Sequence, residues 1–305
     1  MERKQTTSRV LMIRPANFGF NTETAANNHF QRASDTSAMQ ISKAAKNEFD
    51  NFVSLLRGHG IDVWVIQDSP TPWTPDSIFP NNLFSTHITG ELILYPMFAQ
   101  NRQLERKLTT LATVGQFEGV QRVINLSGYE RENQYLEGTG SMVLDRVNKI
   151  VYCCASERSS RKVLDEYCNE LGYTSHYFSA SDLNGNPIYH TNVMMCVGDK
   201  YTVICLECIK DEKERTEVIE SFKQTGHEII DISLEQVYKF AGNMLQLENE
   251  DGEKFLIMSA QAKSSLNEKQ MSTILKYNQI LSPEIYTIEE NGGGSARCMI
   301  AEIFC

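Results

Sequence analysis

A thiol, an imidazole and two carboxylates recur at comparable places along the 305-residue chain: Cys298, His190, Asp76 and Glu137, with Asn243 at the one remaining place. A thiol titrating near ~8.5 needs help to attack at neutral pH, and an imidazole can take and return its proton. Carboxylates accept hydrogen bonds, so a pair of them holds the N–H groups of a planar substrate and sets its central carbon over sulfur. The chemistry implied is attack on a carbon bearing several nitrogens, a guanidino or ureido group. Taken singly, each residue has an ordinary explanation. A buried cysteine is a small hydrophobe, an acid before a hairpin is solvated, and His190 beside Tyr189 can be a satisfied structural histidine. Cys298 has a further mark, because Gly292-Gly293-Gly294-Ser295-Ala296-Arg297-Cys298-Met299 places three glycines just ahead of it. Such a run lets the backbone turn tightly and deliver one thiol to the apolar strand expected over 297–304.

The elements that must position these groups repeat. A strand over 10–13 is followed by a polar segment, 16–33, that is long for a connection and suggests a functional loop. Then comes a helix over 37–60, with Phe49, Phe52, Val53, Leu55 and Leu56 at helical spacing. A strand over 61–66, a Pro-rich loop over 70–80 and a hairpin over 82–97 complete the unit. The same order returns with helices near 101–115, 156–171, 211–225 and 264–281, strands at 121–126, 174–178, 228–232 and 284–288, and hairpins at 141–154, 191–206 and 243–258. The fifth unit has one final strand and lacks its partner, which the strand over 10–13 can supply. Helices starting about 54 to 64 residues apart make a five-member repeat in element order. Five such units closed by an N-to-C strand exchange form a single α/β domain spanning 1–305, with sheets facing inward and helices outside. Equivalent loops then open at one end of the ring, so Asp76, Glu137, His190, Asn243 and Cys298 face one central cavity.

Bulk composition fits this picture. The chain is 41% hydrophobic and 22% charged, as expected of a globular protein. A formal net charge of −10 argues against nucleic-acid or anionic-membrane partners. No apolar run reaches the length of a membrane span, and residues 1–8 lack the apolar core of a signal peptide. The eight cysteines lie mostly inside apolar runs, which suggests reduced thiols and a cytoplasmic location. Cys205-Leu206-Glu207-Cys208 has CxxC spacing, but nothing completes a zinc set; the two thiols are expected to alternate in a strand.

The order Pro75-Asp76-Ser77-Ile78-Phe79, Leu136-Glu137-Gly138, His190-Thr191-Asn192 and the glycine–cysteine stretch resembles that of the guanidino-group modifying enzymes, the pentein superfamily. The resemblance implies a five-bladed pseudo-symmetric α/β propeller with a catalytic Cys, His and Glu. Leu11-Met12-Ile13-Arg14-Pro15-Ala16-Asn17-Phe18-Gly19-Phe20, Glu23-Thr24-Ala25-Ala26-Asn27-Asn28 and Phe79-Pro80-Asn81-Asn82 are similar to the citrulline-utilisation hydrolase (citrulline ureidase) branch. Asn81 and Asn82 stand where arginine-processing relatives carry acids, and Asn192 where deiminases have Asp. A guanidinium offers only donors, whereas a ureido group is neutral and has a carbonyl that an amide N–H can satisfy. Asn82, Asn192 and Asn81 are therefore expected to favour citrulline. The resemblance places Arg102 and Arg158 where dimethylarginine hydrolases bind the substrate α-carboxylate. The 16–33 segment is expected to cover the cavity mouth, Asn17 among the asparagines reading the amino-acid end.

The reaction expected is cysteine-dependent hydrolysis of citrulline to ornithine, ammonia and carbon dioxide, with no metal or organic cofactor. The alternatives are an arginine or methylarginine deiminase, an amidinotransferase, or a non-catalytic propeller such as a ribosome anti-association factor. The sequence leaves the oligomeric state, including a homo-oligomer, open.

Overall fold

The structure, a computed structural model, describes residues 3–305. Within them the strands are β1 (Arg9–Arg14), β2 (Asp62–Gln67), β3 (Phe84–Thr86), β4 (Glu91–Leu94), β5 (Arg122–Asn125), β6 (Met142–Asp145), β7 (Ile150–Cys154), β8 (Thr174–Phe178), β9 (Met195–Val197), β10 (Tyr201–Ile204), β11 (Glu228–Asp231), β12 (Leu245–Glu248), β13 (Lys254–Ile257), β14 (Gln279–Leu281) and β15 (Ala301–Ile303). They form five three-stranded sheets, ordered β3-β4-β5, β6-β7-β8, β9-β10-β11, β12-β13-β14 and β15-β1-β2. Each holds an antiparallel pair and a third strand parallel to the middle one, reached through helical crossovers. The expected N-to-C exchange is present: β1 pairs antiparallel with β15, Val10 opposite Glu302. The inner strands meet one another, β15 against β3, β6 against β9 and β9 against β12. This is the five-bladed α/β propeller, built as a single domain.

The first helix shows why the units form. Ser37 caps Ala38–Gly58 in a capping box with Gln40, satisfying amides that the helix cannot pair itself. Ile41, Ala45, Phe49, Phe52, Val53 and Leu56 form one buried face. That face packs with Val10, Met12 and Ile285 into the core beneath the closing sheet. Burial of each large side chain contributes about 1.5–3 kcal/mol.

Several expected elements differ. The helix near 101–115 is two pieces, Gln100–Gln103 and Leu108–Val114. The break lies where Arg102 pairs with Glu105 and where Lys107 reaches Asp68 at 2.6 Å and the Ser69 carbonyl at 2.8 Å. The helix over 264–281 is instead Ala260–Ser265 and Glu268–Ile274, followed by β14; Asn267 starts the second piece with its own capping box. The strand expected over 284–288 is absent, because that place in the sheet is already filled by β14. Tyr286–Gly292 is a helix, and its Thr287 and Ile288 amides donate to the Glu48 carboxylate at 2.9 and 3.0 Å. The final strand is confined to β15, so Cys298 precedes it in a turn. Cys205 and Cys208 do not alternate in a strand; Cys208 ends a short 3-10 turn, Leu206–Cys208. Among the described residues no disulfide forms, no acid–His–Cys grouping could hold a metal, and no helix is long and apolar enough to cross a membrane.

Candidate active site

The repeat places the reactive groups at one register. Glu137 and His190 each directly precede a single helical turn, Gly138–Ser141 and Thr191–Met194, that feeds β6 and β9. Asp76 precedes the Pro80–Asn82 turn ahead of β3, Asn243 stands just before β12, and Cys298 lies in the turn before β15.

The mount of Cys298 is more specific than three free glycines. Gly292 completes a helix, and Gly293, at φ 63°, ends it in the left-handed region that glycine adopts without strain. Tyr189 donates its hydroxyl to the Gly293 carbonyl at 2.7 Å, and Ser295 donates to Glu289 at 2.6 Å. Cys298 is 3% exposed. Its sulfur accepts from the Asn192 amide at 3.4 Å and the Asn243 amide at 3.2 Å. Asn243 is held in turn by the Arg297 amide, which donates to its Oδ1 at 3.0 Å.

Glu137 is completely buried. Its Oε1 accepts from the Phe98 amide at 2.9 Å, and its Oε2 lies 2.7 Å from His190 Nε2, 3.5 Å from Arg158 and 3.9 Å from Arg102. Burial pushes this carboxyl up, but Arg158, the His190 contact and Arg102 outweigh it and hold it far below the usual carboxylate range. Burial also lowers His190 to about 4, against the opposing pull of Glu137. At neutral pH the ring is therefore uncharged, Nε2–H donates to Glu137, and Nδ1 carries the lone pair. Asp76 is raised, chiefly by burial, with Arg102 and the Asn21 hydrogen bond opposing. Its Oδ2 accepts from Asn21 at 2.7 Å, whereas its buried Oδ1 has no partner.

Asp76, His190 and Cys298 line one cavity with Asn82, Arg102, Arg158, Tyr189 and Asn28. The convergence of thiol, imidazole and acid is what a non-catalytic propeller did not lead one to expect. Both arginines are 2% exposed, not surface residues. Arg102 donates to both Glu105 oxygens, at 2.9 and 3.1 Å, and to Asn82 Oδ1 at 2.9 Å. Arg158 donates through Nε to Asn27 Oδ1 at 2.9 Å and lies over the Tyr189 ring at 4.9 Å.

Three expected ligands are placed differently. Asn82 lines the cavity but is tied into its wall: one N–H donates to the Glu137 carbonyl at 3.2 Å and its Oδ1 accepts from Arg102. Asn81 is buried outside the cavity lining, its amide without a hydrogen bond. Asn17 is exposed and donates to the Pro70 carbonyl at 3.4 Å, away from the site. Within the 16–33 segment the asparagines that do reach the site are Asn21 on Asp76, Asn27 on Arg158 and Asn28, which donates to the Gly292 carbonyl at 3.2 Å. The polar segment contributes Asn28 to the lining of the cavity, whose volume is about 10 Å³, room for roughly one water. Asn243 was legible as the fourth register position, but its bond to sulfur was not. Nothing local in sequence marks Asn101, which shares Asn21 with Asp76.

A five-bladed propeller gathering Cys, His and acids at its axis is the arrangement of the guanidino-group modifying penteins. Residues 14–305 match the family described as N,N dimethylarginine dimethylhydrolase, eukaryotic, and the chain belongs to that family. No curated protein matches. Among solved structures, the cyanobacterial arginine dihydrolase ArgZ is similar at TM-score 0.71 and 14% identity, over 97% of this chain and 41% of that one. The chain thus spans less than half of that relative. It matches the separate N-terminal domain of ArgZ, bound to substrate, at TM-score 0.70 and 15% identity, with 97% and 99% covered. A dimethylarginine hydrolase (DDAH) from Pseudomonas aeruginosa, complexed with citrulline, is similar at TM-score 0.66 and 13% identity, with 98% and 100% covered.

Proposed function

We propose that the chain is a thiol-dependent hydrolase of the ureido group of citrulline. The observation that carries this reading is the unpartnered Oδ1 of Asp76, a buried acceptor in the cavity that also holds Cys298 and His190. A buried acceptor left unpaired costs about 1–3 kcal/mol, and a ligand N–H would recover it. Arg102 is already answered by Glu105, and Glu137 is engaged by His190, Phe98 and Arg158. One free carboxylate oxygen suits the limited N–H set of a neutral ureido group. A guanidinium, with donors on every edge, is better held by several carboxylates. Asn192 keeps the role of steadying oxygen; Asn82 passes to positioning Arg102. Arg102 and Arg158 are the candidates for the substrate α-carboxylate.

In this scheme the Cys298 thiol gives its proton to His190 Nδ1, and the thiolate, steadied by Asn192 and Asn243, attacks the ureido carbon. His190 returns the proton to the departing nitrogen, leaving a thiocarbamate on sulfur. Water, activated by the same imidazole, releases a carbamate that breaks down. The sum is citrulline plus water giving ornithine, ammonia and carbon dioxide. Glu137 keeps the imidazole in its working tautomer. The family match favours a second reading, removal of a methylated amine from dimethylarginine. Incubation with citrulline, arginine and dimethylarginine separates the two: ornithine and ammonia from citrulline are expected, whereas dimethylamine without ornithine would overturn the assignment. Cys298→Ser is expected to abolish turnover while the protein stays folded, and retained activity would sink the covalent scheme.

A further inference from the structure

A second cavity, of about 350 Å³, lies at the opposite end of the ring. The active-site residues precede β3 and β6, whereas this cavity is lined by the turns that follow those strands, at Ile88 and Thr89 and at Arg146 and Lys149. A four-residue strand separates the two ends by roughly 13 Å. We propose that this cavity is a ligand site for a small molecule bearing two or more negative charges.

The protein leaves much of the positive charge around this cavity unanswered. The chain carries a net −10, yet Arg3, Lys4, Arg146 and Lys149 all line this one cavity, and of these only Lys4 has a carboxylate of its own, Glu248 at 3.3 Å. Arg146 is 7% exposed and shares a single carboxylate: Glu302 Oε2 lies 3.5 Å from Arg146 and 2.8 Å from Arg297. Two guanidiniums on one carboxylate leave one positive charge in excess, and burying it is costly without a counter-ion. Lys149 donates to the Leu171 carbonyl at 3.2 Å and, among the described residues, has no carboxylate at ion-pair distance; the acid whose charge acts on it is Glu91. Lys149 is lowered by burial first and then by Arg3, with Glu91 opposing. Burial, with Arg146 and Lys149, keeps the neighbouring His87 neutral. An anion would reverse the repulsion felt by each of these groups.

The walls are also set for a ligand. Arg146 stacks over Phe304 at 4.0 Å, and Lys149 lies 4.6 Å from the Tyr173 centroid. Rings on which cations rest hold them in place and give the organic part of a ligand an apolar surface. The volume, about a dozen waters, admits a phosphorylated or polycarboxylate metabolite. This site is independent of the reaction assigned to Cys298.

Calorimetric titration of the full chain at low salt with pyrophosphate and, separately, citrate tests the proposal. Saturable one-site binding of either is expected, and which probe binds distinguishes a phosphate from a carboxylate ligand. Lys149 has φ 56°, a conformation that asparagine tolerates, so Lys149→Asn removes the charge without forcing the turn. It is expected to weaken binding at least tenfold, while Lys149→Arg and Cys298→Ser bind as wild type does. Absence of saturable binding of both probes overturns the proposal. So does equal binding by Lys149→Asn, or binding abolished by Cys298→Ser, which would put the anion in the catalytic cavity.

Discussion

Gly140 lies in the turn between Glu137 and β6, and its missing side chain is what lets two site residues meet. A Cβ added there would fall 2.1 Å from Asn82 Nδ2, 2.7 Å from His190 Nδ1 and 2.9 Å from His190 Cε1. Ordinary contact begins near 3.4 Å, so in Gly140→Ala the Asn82 amide must retreat by about 1.3 Å and the imidazole by about 0.7 Å. The first shift breaks the Asn82 bonds to Arg102 and to the Glu137 carbonyl, each worth about 1 kcal/mol. Crowding in a filled interior adds about 1–3 kcal/mol. The second shift moves Nδ1, the nitrogen assigned to take up the Cys298 proton, and a misplacement near 1 Å costs about 100-fold in rate. Gly140→Ala is therefore expected to lose about 3–5 kcal/mol of stability and about two orders of magnitude in kcat, read by denaturant melts and by ornithine release from citrulline. A variant with both unchanged would mean that neither Asn82 nor His190 occupies its assigned place, and the site geometry would fall with them.

Two further expectations concern the buried charges. Glu137→Gln removes the carboxylate facing Arg158 and Arg102, and breaking a buried pair costs about 3–5 kcal/mol; a loss under about 1 kcal/mol in chemical denaturation would contradict the pairing. Burial lowers His190 from 6.5 to about 4, so the unfolded chain takes up this proton before the folded one does. That contribution to stability is complete above pH 6.5 and is lost as pH falls toward 4, amounting to about 3 kcal/mol. Denaturation midpoints of wild type and His190→Gln, compared between pH 7 and 4, should converge on acidification, and parallel curves would refute the buried neutral imidazole.

The element order of most units was legible in the chain, because apolar spacing and turn residues are local properties; Thr174–Phe178 and the helix at Ala38–Gly58 lie where that spacing puts them. The closure was legible as well, since a fifth hairpin short of one strand leaves β1 as the available partner. The register of Asp76, Glu137, His190, Asn243 and Cys298 followed from the repeat. Tertiary structure decided what each group does there. Whether an asparagine binds substrate or its neighbours depends on contacts between residues far apart in the chain: Asn82 is claimed by Arg102, Asn243 is turned onto sulfur by the Arg297 amide, and Asn17 faces solvent. The fifth unit makes the same point in the backbone. Pattern alone suggested a strand over 284–288, but β14 fills the sheet position and Glu48 satisfies the freed amides, so the segment folds as the helix that carries Gly293 to the thiol.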